Sequence, residues 1–271
     1  MVNINDIINC MREMAPEDLA EPWDNCGLLV ASESRGTGAV IACLDVTKDA
    51  VEAAVRSDAR LIVCHHPLML NPIKRIDTRS RQSVLLRAVI KNDVAVYAAH
   101  TNVDKTYGGL NDLLAGLIGV TTDPPGEGAE QLGYYRAGML PEELSVAEFN
   151  AHVSSRLKLK ELTVSSRTRS ALSPIGRVVV MSGSYSLEAR QMGALRADAL
   201  VCGEIRHHEL LELNAMGIHV VQAGHHGSER FFINLVQRWI NDKYPELPIK
   251  GVGFADHPTE VYIGEYANGD V

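Results

Sequence analysis

The sequence predicts an α/β fold made of two similar α/β domains, with a ligand site where they meet. Along most of the chain, short apolar segments rich in β-formers alternate with segments of helical periodicity, a pattern typical of sheets with parallel strands. In addition, several apolar segments end abruptly at histidines and carboxylates. Open α/β sheets hold their ligands at such strand ends, so these polar residues are the candidates for function.

The first half of the chain predicts strands and helices in regular alternation. Ile4, Ile7, Ile8 and Met11 stand at helical spacing and predict an opening amphipathic helix. We expect helices at 3–14, 49–55, 83–91 and 110–117, and strands at 28–30, 40–44, 61–64 and 94–99.

A segment rich in Pro, Gly and Thr at 121–128 predicts a domain boundary. We expect residues 1–125 together with 224–271 to form the first domain and residues 126–223 to form the second. Ser145 and Glu148 are spaced as a capping box and begin a helix. The other elements expected in this half are helices at 187–195, 210–216 and 231–240, and strands at 133–140, 162–165, 178–181, 199–202, 218–222 and 261–263.

The two halves of the sequence can be overlaid as a weak repeat. A shift of 138 positions carries residues 40–41 onto 178–179 and residues 58–64 onto 196–202. Few identities support the overlay, so chance similarity between two α/β layers is an alternative to common ancestry. In either case, two similar sheets that face each other would bring their strand ends together.

Composition sets limits on the function. The chain has 271 residues, 46% of them hydrophobic, and a net charge of −8, which argues against a general nucleic-acid binder but not against an anionic substrate. The five cysteines form no CxxC pair, and reduced thiols suit a cytosolic protein. The sequence has no apolar run of membrane-spanning length and no secretion signal at its start, so we expect a cytoplasmic protein without a membrane partner.

The strand at 61–64 stops at His65 and His66, and Pro67 then forbids further strand pairing. Histidine is the commonest metal-binding side chain, and two imidazoles at one strand end could serve two neighbouring ions. The alternative is a pair of histidines that caps the strand through hydrogen bonds to the backbone.

Two further strand ends carry residues of the same kind. His225 and Glu229 follow a strand at i, i+4 spacing, which places them one turn apart on one helix face, and Asp104 follows another strand. The predicted metal ligands are His65, His66, Asp104, His225 and Glu229. Two carboxylates are enough for one of them to bridge two divalent ions, and this ligand set suits Zn, Fe, Mn, Co or Ni.

Other polar residues are candidates for roles around the metals. His100 ends a strand and is a candidate ligand, a hydrogen-bond donor to a ligand, or only a strand terminator. A second group of candidates consists of residues that line the pocket or handle protons: Asp45, Glu204, His207 and His226. The Trp23-Asp24-Asn25 turn is interpreted as a packing corner in which Asn25 and Gly27 adopt positive φ, with a direct chemical role as the alternative.

Six segments in order resemble the YbgI (Nif-three-like) family of dinuclear metal proteins, many of which are named GTP cyclohydrolase I type 2 homologues. The segments are Trp23-Asp24-Asn25-Cys26-Gly27, Cys43-Leu44-Asp45-Val46-Thr47, His65-His66-Pro67, His100-Thr101-Asn102-Val103-Asp104, Gly203-Glu204-Ile205-Arg206-His207-His208 and Gly224-His225-His226-Gly227-Ser228-Glu229. The resemblance implies two linked α/β domains, a dinuclear site between them and a toroidal homohexamer. It assigns the metals to the five ligands named above, although His226 stands where the family commonly has an aromatic residue.

The sequence therefore predicts a dinuclear metal-dependent hydrolase. Its substrate would be a small molecule, either GTP, as the family label implies, or another nucleotide or phosphoester. No residue is assigned as catalytic. The alternative is a non-catalytic, ring-shaped adaptor or metal-handling protein, in which the same ligands stabilise the fold.

Overall fold

The computed structural model describes residues 1–124, 133–165 and 173–253. The strand predicted at 261–263, and residues 125–128 of the predicted boundary segment, lie outside these ranges.

The helices and strands alternate along the described chain, and each predicted element within it has a counterpart. The helices are α1 (Ile4–Met14), α2 (Lys48–Arg56), α3 (Arg81–Lys91), α4 (Thr101–Lys105), α5 (Leu110–Ile118), α6 (Val146–Leu157), α7 (Ala189–Leu195), α8 (His207–Ala215), α9 (His225–Glu229) and α10 (Phe232–Lys243). The strands are β1 (Val2–Asn3), β2 (Gly27–Val30), β3 (Gly36–Thr37), β4 (Ala39–Cys43), β5 (Ala59–Cys64), β6 (Ala95–Ala98), β7 (Thr121–Thr122), β8 (Arg136–Leu144), β9 (Thr163–Val164), β10 (Ile175–Ser184), β11 (Ala199–Glu204), β12 (His219–Gln222) and β13 (Ile249–Val252).

Polar side chains begin several of these helices. Asn3, Thr47 and Ser80 each accept a hydrogen bond from a backbone N–H in the first turn of the helix that follows. Ser145 and Glu148 form the predicted capping box of α6. Each such cap stabilises its helix by about 1 kcal/mol because it satisfies N–H groups that have no partner within the helix.

Two sheets organise the fold, and a short antiparallel ribbon of β1 and β3 lies beside them. Among the described strands, the first sheet has the order β13-β4-β5-β6-β2, in which only β2 runs antiparallel to its neighbour. The second sheet has the order β7-β8-β10-β11-β12-β9, in which β10, β11 and β12 are parallel. The predicted α/β fold class is confirmed.

The central strands are continuous apolar segments in the sequence because both faces of each sheet are covered. In β4, Val40 and Ala42 pack on the side of α1 and α10, whereas Ile41 and Cys43 pack on the side of α2. The strands of the second sheet divide in the same way between two further clusters of buried side chains. A sheet buried on both faces needs apolar residues at every position, not only at alternate ones.

Equivalent residues of the two sheets form equivalent strand pairs under the predicted shift of 138 positions. Val40 pairs with Leu61 in the first sheet, and the residues equivalent to them under this shift, Val178 and Ala199, pair in the second. The two parallel strand pairs are therefore built alike in both sheets.

Sequence patterns missed several short elements, among them β13, α4 and α9. The strand β13 is only four residues long, contains Gly251 and is half exposed, so its apolar signal is weak. The helices α4 and α9 each comprise five residues, too few for helical periodicity to appear.

Arg136 ties the second sheet to the segment that follows α4. Its guanidinium donates to the carbonyls of Lys105 and Thr106 and to the carboxylate of Asp112, and the residue is almost completely buried. This network fixes the backbone directly after Asp104. No helix within the described ranges has the length and apolar character to cross a membrane.

Candidate metal centre

Strand ends from both sheets deliver the candidate ligands to one place. His65 and His66 directly follow β5, and His100 follows β6 and precedes α4, which carries Asp104. From the second sheet, β12 leads into α9, whose single turn places its first and last residues, His225 and Glu229, on the same face.

Glu229 lies between imidazoles that come from different sheets. Its Oε2 is 3.0 Å from Nε2 of His66 and 3.2 Å from Nε2 of His225, and these two nitrogens are 3.4 Å apart. The other oxygen, Oε1, lies 3.7 Å from Nε2 of His65. The two carboxylate oxygens thus face different imidazoles.

The described residues contain two overlapping groups that could hold an ion. One group comprises His66, His225 and Glu229, and the other comprises His65, His66 and His100. Asp104 belongs to neither group, but its Oδ1 lies 3.8 Å from Nε2 of His65 and accepts a hydrogen bond from Ser182.

The Nδ1 atom of every imidazole in this cluster lies beside an acceptor oxygen. Because a carbonyl or a carboxylate only accepts, Nδ1 carries the proton and, in a neutral ring, the lone pair is on Nε2. The four contacts of Nδ1 are His65 with the Ala99 carbonyl at 2.9 Å, His66 with Asp45 at 3.2 Å, His225 with Glu204 at 3.2 Å and His100 with Asp24 at 2.9 Å.

When the rings are neutral and carry the proton on Nδ1, two buried polar atoms in the cluster have no hydrogen-bond partner, namely Nε2 of His65 and Oε2 of Glu229. Leaving such atoms unsatisfied costs roughly 1–3 kcal/mol each. A cation between the Nε2 atoms and the carboxylate would satisfy both. The residues therefore fit divalent ions bound through nitrogen and oxygen, which is the chemistry of Zn, Fe, Mn, Co and Ni sites.

The electrostatics of the cluster favour positive charge at its centre. Burial alone would lower the pKa of His66, but Asp45 and Glu229 outweigh it and raise this pKa to about 10. Contact with Glu229 likewise raises the pKa of His225. Burial would raise the pKa of Glu229, yet the neighbouring imidazoles hold it well below its ordinary value. A proton therefore remains on His66 near neutrality where no metal competes for it.

Asp104 has the opposite environment. Burial, with a contribution from the charge of Glu229, raises the pKa of its carboxyl group above the usual value despite the opposing effect of His65. A bound cation would reverse this balance, since it supplies the positive charge that the buried carboxylate lacks.

Four further residues were predicted to lie around the metals, and not all of them contact the cluster. Asp45 and Glu204 accept hydrogen bonds from Nδ1 of His66 and His225, as described above. His226 lines a small cavity of about 10 Å³ together with Asp45. His207 is exposed at the first residue of α8, and no hydrogen bond or ion pair found in the described part of the chain joins it to the cluster. The i, i+4 spacing thus directs His225, and not His226, towards Glu229.

Sequence reasoning missed two residues that shape the site. Gly183 has a φ of +62°, and a Cβ placed on it would lie 2.4 Å from Oε1 of Glu229, so only glycine leaves room for that carboxylate. Ser182 donates a hydrogen bond to Asp104, as noted. The only sequence signal for either residue is the Ser182-Gly183-Ser184 turn that ends β10.

The Trp23-Asp24-Asn25 turn differs from the packing corner that the sequence suggested. The Asp24 side chain is fully buried and accepts hydrogen bonds from His100 and Thr101, whereas the Trp23 side chain is exposed. Gly27 has the expected positive φ, but Asn25 does not.

The amino-acid sequence is similar to those of known proteins. The Duf34/NIF3 (NGG1p interacting factor 3) family matches residues 2–258. A protein of Clostridium perfringens named GTP cyclohydrolase 1 type 2 homolog is 30% identical over 233 residues, which cover 84% of this chain and 87% of that protein. GTP cyclohydrolase 1 type 2 of Helicobacter pylori is 29% identical over 247 residues, which cover 87% and 90% of the two chains.

A solved structure shows the same likeness in fold. The Bacillus cereus protein related to NIF3 superposes with a TM-score of 0.83 at 23% identity, over 96% of this chain and 99% of that one. The resemblance to Nif-three-like proteins that the six motifs predicted is confirmed.

Proposed function

This chain belongs to the Duf34/NIF3 family, and on that basis we propose that it is a dinuclear metal-dependent hydrolase acting on GTP, another nucleotide or another phosphoester. One observation carries the proposal: the two oxygens of Glu229 face imidazoles delivered by both sheets. The name GTP cyclohydrolase 1 type 2, borne by the Helicobacter relative, supports a nucleotide substrate.

We assign the metals to His65, His66, Asp104, His225 and Glu229. Nε2 of His65 and Oε2 of Glu229, which are buried and unsatisfied when the rings are neutral, support this set because a cation would satisfy both atoms. When bound, two such ions would lower the pKa of a water molecule and polarise the scissile group.

The chain's own residues orient this site and give it an open side. The side chains of His66 and His225 are 24% and 40% exposed, whereas those of His65 and Glu229 are almost fully buried. Substrate would therefore approach from the side of His66 and His225. Glu204 lies on that side and holds Nδ1 of His225, so it is placed to keep this ring oriented during turnover.

The larger organisation is also a proposal. We propose that residues 1–125 with 224–271 form one domain and residues 126–223 the other; the two sheets follow these ranges except for β7, which lies at 121–122 and joins the second sheet. We further propose a homohexameric ring in the cytoplasm, for which the family resemblance is the support. Light scattering of the purified protein tests the mass of the assembly.

A competing function is favoured by the way the ligands are distributed. They come from segments that follow strands of both sheets, so bound ions would clamp the two sheets together even without turnover. Under this alternative the protein is a ring-shaped adaptor or a metal-handling factor. Asp104→Ala would then lower the melting temperature, and there would be no activity to lose.

Turnover assays separate the two functions. The metal-loaded protein is incubated with GTP, other nucleotides and simple phosphoesters, and Glu229→Ala serves as the matched inactive variant. The hydrolase proposal expects metal-dependent product from at least one compound, and loss of that product in the variant. If no compound is turned over above the level of the variant while metal still raises the melting temperature, the adaptor function is correct.

A further inference from the structure

One of the two tryptophans of this chain lies exposed beside the candidate metal centre. The Trp23 side chain is 59% exposed, whereas Trp239 is 3% exposed in the core. Tryptophan is usually well buried because of its large apolar area, so an exposed indole next to a polar site points to a ligand that covers it.

The segment that directly follows Trp23 is held firmly. Asp24 accepts hydrogen bonds from the Thr101 backbone N–H at 3.1 Å and from the Thr101 hydroxyl at 2.5 Å, and it also holds His100. Asn25 donates to the carbonyl of Met69, in the loop that follows the His65–His66 pair. The indole is therefore presented to solvent from a fixed turn, and little conformational freedom is lost when it binds a ligand.

The indole also lies next to the cluster. The ring centroids of Trp23 and His100 are 6.1 Å apart, with their planes at 76°. The centroid of the same His100 ring lies 5.2 Å from that of His65 and 5.6 Å from that of His66. A planar group stacked on the indole would thus be a near neighbour of the metal ligands.

We propose that Trp23 is a stacking platform for a planar heteroaromatic ring of the substrate, such as a nucleobase, while the reacting group reaches the metal centre. This inference rests on the proposed function, because it names the class of substrate for the same site. Every base has a π-face, so the platform selects nucleotides over non-aromatic phosphoesters and discriminates little between bases. Trp23 is a specificity-determining residue in this account and takes no part in proton transfer.

Fluorescence tests the platform without any need for turnover. In the metal-loaded Trp239→Phe protein, Trp23 is the only indole, and its emission reports on stacking directly. We expect saturable quenching by GMP and by AMP, and none by ribose 5-phosphate. In the wild-type background, Trp23→Ala should weaken GMP binding measured by calorimetry about tenfold or more, and Trp23→Phe should retain most of it. Binding of ribose 5-phosphate should be the same in all three proteins.

Two results would overturn the stacking platform, and a third would count against the hydrolase. Equal binding of GMP by the wild type and Trp23→Ala would overturn the platform, even if the wild type hydrolyses nucleotides and the proposed function stands. A lower assembly mass for Trp23→Ala would overturn it as well, because Trp23 would then belong to a contact between copies. Saturable, Trp23-dependent quenching without any hydrolysis would support the platform and count against the hydrolase.

Discussion

Oε2 of Glu229 lies 3.0 Å from Nε2 of His66, although one residue follows a strand of the second sheet and the other a strand of the first. Nε2 of His225 lies only 3.4 Å from Nε2 of His66. With Nδ1 protonated in each ring, two lone pairs would face each other in neutral imidazoles. A proton on one of the rings or a metal ion between them would relieve this contact, and the candidate ligand set favours a metal.

Replacing Glu229 with Gln should reduce metal binding without removing side-chain volume. The amide keeps the shape but loses the charge, and its NH2 group cannot ligate a cation. We expect fewer ions per chain than in the wild type by elemental analysis after loading. Glu246→Gln, at an exposed position, is the control and should bind as the wild type does. Equal metal content in the two variants would show that Glu229 is not a ligand.

Metal binding should release protons and strengthen as pH rises. The pKa of His66 is raised to about 10 in the metal-free site, so this ring is protonated near neutrality and must lose a proton to bind metal. Glu229 raises the pKa of His225 as well, which acts in the same direction. For each proton displaced, the apparent affinity should rise about tenfold per pH unit. Calorimetry in buffers of different ionisation enthalpy measures the number released; a value of zero would contradict the account.

Metal affinity should rise with pH, but the stability of the metal-free protein should fall. Because the folded-state pKa of His66 lies above its ordinary value of 6.5, its contribution to the free energy of unfolding is fully present below about pH 6.5. That contribution is lost as pH rises towards 10. Urea denaturation of metal-free wild type and His66→Gln across this range should give curves that converge at high pH, and a constant difference would contradict the account.

Asp45 and Glu204 should tune metal affinity although they are not ligands. Each accepts from the Nδ1 of an imidazole that we propose as a ligand, and loss of such a partner typically weakens metal binding about 10- to 100-fold. We expect this loss in Asp45→Asn and Glu204→Gln, measured by competition with a chelator of known affinity. Glu212→Gln, exposed on α8, is the control. Affinities unchanged from that control would remove these residues from the site.

Gly183→Ala should disrupt the site by steric conflict with Glu229. The new Cβ would lie 2.4 Å from Oε1 of Glu229, and the positive φ adds strain of about 1–2 kcal/mol. Gly108→Ala is a matched control, because Gly108 has a similar φ of +68° but nothing within 4 Å of an added Cβ. Both variants should lose stability in thermal melts, but only Gly183→Ala should also lose metal. Loss of metal in both would assign the effect to backbone strain.

The sequence allowed the fold class to be predicted because buried strands and amphipathic helices leave local patterns. It did not predict β13, whose four residues are half exposed, or the single-turn helices α4 and α9, which are shorter than the period that reveals a helix. The geometry of α9 was still anticipated from the spacing of His225 and Glu229. Element boundaries differed mostly by one to three residues.

For the site, strand-end histidines and carboxylates were visible as local motifs, but their partners were not. The bond from Asp24 to His100 and the bond from Ser182 to Asp104 join residues far apart along the chain. Such contacts depend on how two sheets meet, and no pattern of neighbouring residues encodes them. The exposure of Trp23 was not predicted from the sequence either, because the residues around it suggested a packed side chain.

The most direct test of the central claim is anomalous diffraction from crystals of the protein loaded with Zn²⁺ or Mn²⁺. The account predicts two peaks about 3.5–4 Å apart, with Glu229 between them and with His65, His66, Asp104 and His225 around them. Full loading in solution with no anomalous peak within ligand distance of Glu229 would contradict it.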